Sequence, residues 1–83
     1  MNRRFSAETI AELEFLSRYD LGSYQSGIKV HNDAPVDVIA AAKRLHEKGI
    51  INQQDGGYLT DRGIETAESL QRILKSVGDE TFL

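Results

Sequence analysis

Apolar positions along this chain come in three stretches at helical spacing, interrupted by a glycine-bearing break and a short alternating segment. The first stretch opens at Ser6, whose hydroxyl suits the free N–H groups of a first helical turn. Phe5 and Ile10 have the spacing of a hydrophobic staple, and Glu8 sits where the helix dipole favours an anion. Ile10, Leu13, Leu16 and Ser17 then share one side, which predicts a helix over 7–19. Phe15 falls well off that side, so either it meets a protein partner or the loop at 21–30 folds over it.

Residues 20–33 break the period with Gly22, Ser23, Ser26 and Gly27. Within them Ile28-Lys29-Val30 alternates apolar, polar, apolar and predicts a short strand, with Leu21 and Tyr24 packing over the core. Asn32 or Asp33 is the expected cap of a second helix over 34–48, with Pro35 tolerated in its first turn. Val38, Ala41, Ala42 and Leu45 form its buried stripe. Asp37, Lys43, Arg44 and Glu47 lie opposite, with Val36 and Ala40 among them. Gly49 suits the left-handed residue after a helix, and Ile50 falls where a Schellman motif sets an apolar residue against Leu45.

Ile50 to Gln53 then reads as a strand, Asp55-Gly56-Gly57 as a turn and Tyr58-Leu59 as the returning strand. Thr60 caps the last helix, with Asp61 in its first turn. Gly63, Ala67, Leu70, Ile73, Leu74 and Val77 make its broad apolar face, and Gly78 ends it. The expected architecture is mainly α with a small β-hairpin or sheet, three main helices in a winged-helix-like order. It fills one domain over 1–78, with a flexible tail at 79–83.

The stretch from Val38 to Leu74 resembles the winged helix-turn-helix families of bacterial regulators. Leu45-His46-Glu47-Lys48-Gly49-Ile50-Ile51 matches the end of a helix and the start of a wing. Leu59-Thr60-Asp61-Arg62-Gly63 matches the wing's return into the next helix. Across the whole chain, Gly27-Ile28-Lys29-Val30-His31, Arg44-Leu45-His46-Glu47-Lys48-Gly49 and Asp55-Gly56-Gly57-Tyr58-Leu59-Thr60 resemble a small family of uncharacterised gammaproteobacterial proteins. That likeness implies a DNA-associated regulator and carries no activity with it. A full helix-turn-helix has two helices before the wing. Here residues 20–48 hold one strong helix, so either Leu21 to Gly27 supplies a short turn of helix or the first of the pair is lost.

Charge sharpens this picture. The net charge is −3. Residues 1–50 carry seven basic and seven acidic residues, and residues 51–83 carry three and six, so any DNA-facing surface has to be a local patch. The candidate nucleic-acid contacts are Arg3 and Arg4 on an N-terminal arm, Lys43, Arg44 and Lys48 on the second helix, and Gln53 and Gln54 on the wing. The expected ligand is double-stranded DNA. The alternative is a protein–protein adaptor, with Phe15, Val36, Ile39 and Ala40 as its candidate interface and a homodimer through terminal helices as one form of it.

Catalysis is not expected. There is no cysteine. His31 and His46 alone do not make a metal site, and no spacing sets a nucleophile beside a base, so no metal or cofactor is expected. No apolar run approaches the ~20 residues of a membrane span. Arg3-Arg4 is followed by Glu8, Glu12 and Glu14 rather than by an apolar signal segment, which predicts a cytoplasmic setting.

Overall fold

In the computed structural model, which describes residues 5–23 and 26–78, the chain runs helix, strand, helix, hairpin, helix. The elements are α1 (Ala7–Leu16), β1 (Ile28–Lys29), α2 (Val36–Glu47), β2 (Ile51–Gln53), β3 (Gly56–Leu59) and α3 (Asp61–Val77). The three strands form one antiparallel sheet in the order β1-β3-β2, giving the expected winged-helix-like arrangement. Arg3, Arg4, Tyr24 and the tail at 79–83 lie outside the described residues.

Ser6 caps α1 as expected, accepting from the Thr9 N–H at 3.0 Å. The helix stops at Leu16, because Arg18 and Tyr19 donate to Phe15 and Leu16 three residues back and so tighten the last turn. That tightening turns Tyr19 inward. Its hydroxyl donates to the Gly57 carbonyl at 3.2 Å, and burial pushes its pKa up to about 12.

The buried face of α1 is not the expected one. Glu12, Phe15 and Leu16 are buried, while Ile10 is exposed. Phe15, expected at a protein interface, is 1% exposed and packs with Tyr19, Leu45, Ile51 and Leu70 in the core. The face is rotated by roughly 100°, one residue's step on a helix. The cause is α2, whose Ala41 and Ala42 are fully buried and let α1 approach closely on that side.

Glu12 sits at the centre of this contact, 7% exposed. Its carboxylate accepts from Arg44 Nε at 2.7 Å and from Lys48 Nζ, two cations of α2. Burial works to raise the Glu12 pKa. The hydrogen bonds and charges of Lys48 and Arg44 outweigh it and hold the carboxyl below its ordinary 4.5. A group whose pKa is lower folded than unfolded stabilises the fold above its unfolded value, and this contribution fades as pH falls through the folded one. Glu12→Gln is therefore expected to melt below wild type at neutral pH, with the gap closing as pH drops below about 4.5. Melting curves of both proteins across that range check it; a gap independent of pH contradicts the assignment.

Neither Asn32 nor Asp33 caps α2. Pro35 occupies the cap position without a side-chain bond, and its carbonyl accepts from Val38 and Ile39. Ala34 instead donates to His31 in a separate turn, so the helix begins at Val36. Its end is as expected: Gly49 has φ of +77° and Ile50 N–H bonds to the Leu45 carbonyl at 2.9 Å. Among the described residues of the 20–33 segment there is no helix, so α2 is the one helix between α1 and the wing.

The hairpin reverses one residue early, at Gln54-Asp55, and Gly56 and Gly57 belong to β3. Register explains the shift. Ile51 pairs with Leu59 and Gln53 with Gly56, so β3 carries one extra residue as a bulge. Gly56 has φ of +116° and a Cβ there would lie 2.2 Å from the Ile28 carbonyl oxygen, so glycine is what lets β1 close on β3.

Thr60 caps α3, accepting from Gly63 N–H at 3.0 Å while its own hydroxyl donates to the Ile50 carbonyl. Gly63, Ala67 and Leu70 bury the first half of α3. The expected apolar face is only half covered: Leu74 packs on the core, but Ile73 is 58% and Val77 71% exposed.

Candidate nucleic-acid interface

The site is built around α2, which leads directly into the hairpin. With 3.6 residues per turn its surface divides into strips. Ala41, Ala42 and Leu45 face the core. Arg44 and Lys48 face α1, Ile39 faces the wing, and Val36, Ala40, Lys43 and Glu47 form the outer ridge, whose Val36 and Ala40 border the cleft towards α1.

A groove of about 460 Å³ lies between α2, the segment after β1 and the hairpin turn. Lys43 and Ile39 enter it from α2, Gln54 and Asp55 from the turn, and Lys29, Val30, His31 and Asn32 from β1 and its exit. Pairing puts the last group there: Val30 N–H donates to the Asp55 carbonyl at 2.8 Å, and Lys29 forms an ion pair with the Asp55 carboxylate. The Lys29 hydrogen bond holds the Asp55 carboxyl below its usual range, so it remains charged and offsets Lys29. Lys43 makes no ion pair among the described residues. The groove is thus locally positive, with two lysines against one aspartate, on a chain of net charge −3.

The sequence-derived contacts separate in space. Lys43 and Gln54 meet in the groove. Arg44, expected on the free face of the helix, and Lys48, expected near it, are turned onto Glu12, and Arg44 also donates to the Glu8 carbonyl at 3.3 Å. A buried carboxylate needs cations, and these are the two within reach. Gln53 lies elsewhere, beside Gly27 and Tyr58. Of the candidate protein contacts, Ile39 lines the groove, and Val36 and Ala40 border a second cleft of about 340 Å³ against Ala7, Ala11 and Arg44. Lys29, His31 and Asn32 are not among the nucleic-acid contacts expected from sequence. The one available signal was the outward position of Lys29 in the alternating Ile28-Lys29-Val30 segment.

His46 is half-buried, with Nδ1 enclosed and unpaired among the described residues. No group of three or more metal-ligating side chains occurs among the described residues, and no helix there is long and apolar enough to cross a membrane. No curated protein and no solved structure matched this chain. A family model did: residues 3–77 of the chain match that of DUF5669, a family of unknown function, and the chain belongs to that family.

Proposed function

We propose that this domain is a non-catalytic module that binds double-stranded DNA through α2 and the wing. The observation that carries the reading is the groove where Lys43, Lys29, Asn32 and Gln54 converge at the junction of the helix and the hairpin turn. Phosphates bind cations and side-chain amides of this kind, and the helix preceding a wing is the element that enters a major groove. With Arg44 and Lys48 engaged by Glu12, few phosphates are neutralised, so binding is weak and best seen at low salt, with a shallow salt dependence of about one unit of slope for each phosphate neutralised.

Titration of a mixed-sequence duplex over a range of salt tests this. Wild type is expected to bind at low salt, and Lys43→Glu to weaken binding uniformly across sequences and lower the salt slope by about 1. Absence of binding at the lowest salt rejects the reading.

A second reading, an interaction module, draws on the exposed end of α3. Ile73 and Val77 continue the face that buries Leu70 and Leu74, so a second copy packing there extends the core. Sedimentation is expected to show a dimer that Ile73→Ser with Val77→Ser converts to a folded monomer. Wild type remaining monomeric at high concentration excludes it.

A further inference from the structure

The outer ridge of α2 begins with short side chains and ends in Lys43 and Glu47. Val36, the first residue of the helix, is the most exposed large hydrophobic among the described residues. Ala40, Lys43 and Glu47 follow it, and at 100° per residue the four lie within about 60° of one another. A cleft runs along each side, bordered by Ala11 and Arg44 towards α1 and by Lys29 and Lys43 towards the wing, so the ridge stands proud between them. Asp37 lies on the Arg44 flank and not on the ridge.

This surface suits a nucleic-acid groove better than a protein. Protein interfaces are anchored by aromatic and arginine side chains that fill pockets. The ridge has no aromatic residue, and the neighbouring arginine is held by Glu12. Short apolar side chains allow a helix to come close to base edges, and the apolar group that the major groove offers there is the thymine 5-methyl. Charge complements that pose on the wing side, where Lys43 and Lys29 line the cleft and one phosphate backbone would run, with Glu47 one turn beyond Lys43 and away from Val36.

We infer that Val36 reads thymine methyl groups, so that this module discriminates thymine-bearing sites by apolar contact rather than by a guanidinium on guanine. The inference rests on the DNA reading above. Val36 supplies the specificity, and Lys43 supplies sequence-independent affinity.

The test compares a short mixed-sequence duplex with the same duplex carrying uracil at every thymine position, at low salt. Wild type is expected to bind the thymine duplex more tightly, by about fourfold for each methyl contacted. Val36→Ser is expected to bind both duplexes alike, at the wild-type level for uracil. Val36→Thr, which keeps one methyl, is expected to restore part of the difference. Lys43→Ala lowers both affinities and leaves their ratio unchanged. Val36 is exposed, so its substitutions leave folding intact, as circular dichroism will show. Equal wild-type affinity for the two duplexes overturns the inference while leaving DNA binding in place. Discrimination that survives Val36→Ser overturns the role of Val36. No binding to either duplex overturns both readings together.

Discussion

Phe15→Ala lowers the stability of this domain by about 3–5 kcal/mol, the cost of emptying a ring-sized site in a packed core. Phe15 and Ile51 are the two largest fully buried side chains, and Phe15 meets the Tyr19 ring edge-on with centroids 5.9 Å apart. Its loss removes the contact that joins α1 to Leu45, Ile50 and Leu70. A domain of this size has ~4–12 kcal/mol in total, so much of its margin disappears and the melting temperature falls by at least ~12 °C. Urea titration measures this as a lower midpoint at an unchanged slope. Were Phe15 an interface residue, the same substitution would alter self-association and leave monomer stability within ~0.5 kcal/mol.

Gly63→Ala is expected to destabilise by about 2–3 kcal/mol, against its helix propensity. On an exposed helix the change would help by ~1 kcal/mol. Here a Cβ on Gly63 would lie 2.0 Å from the Ile50 carbonyl oxygen and 3.0 Å from its carbon. Both atoms are backbone, and Ile50 is held from two sides, by the helix stop at Leu45 and by the Thr60 N–H, which donates to that same carbonyl. The start of α3 has to retreat, which weakens the Thr60 cap and the seating of Leu70, an overpacking cost at the upper part of the usual range. Gly49→Ala is the control. Its Cβ meets nothing within 4 Å, so only the left-handed φ of +77° costs anything, about 1 kcal/mol. If Gly63→Ala proves as stable as wild type or more so, α3 does not start against the Ile50 carbonyl.

The candidate site was legible only in part. Lys43 and Gln54 stood out because helical phase and the position of the turn follow from nearby residues. Lys29 did not, because its place beside Lys43 depends on β1 pairing with β3 across 27 residues, Ile28 with Gly57 and Lys29 with Gly56. Arg44 has the helical phase of a free face, and Lys48 follows at the helix end. Their charge is nevertheless committed to a carboxylate on another helix.

Interactions that close within a few residues are written directly in the chain. Ser6 with Thr9, Thr60 with Gly63, and Ile50 with Leu45 around Gly49 each need one local hydrogen bond and a permitted φ, so the starts of α1 and α3 and the end of α2 follow from sequence alone. What tertiary packing decided is which side of α1 is inside. Glu12 in mid-face blurs the apolar period, and the direction of burial is set by α2 and the two cations it brings. Packing likewise placed Gly56 and Gly57 inside a strand, because only the approach of the Ile28 carbonyl distinguishes a bulge there from a turn. Apolar burial has no direction of its own, so the partner that arrives from far along the chain settles it.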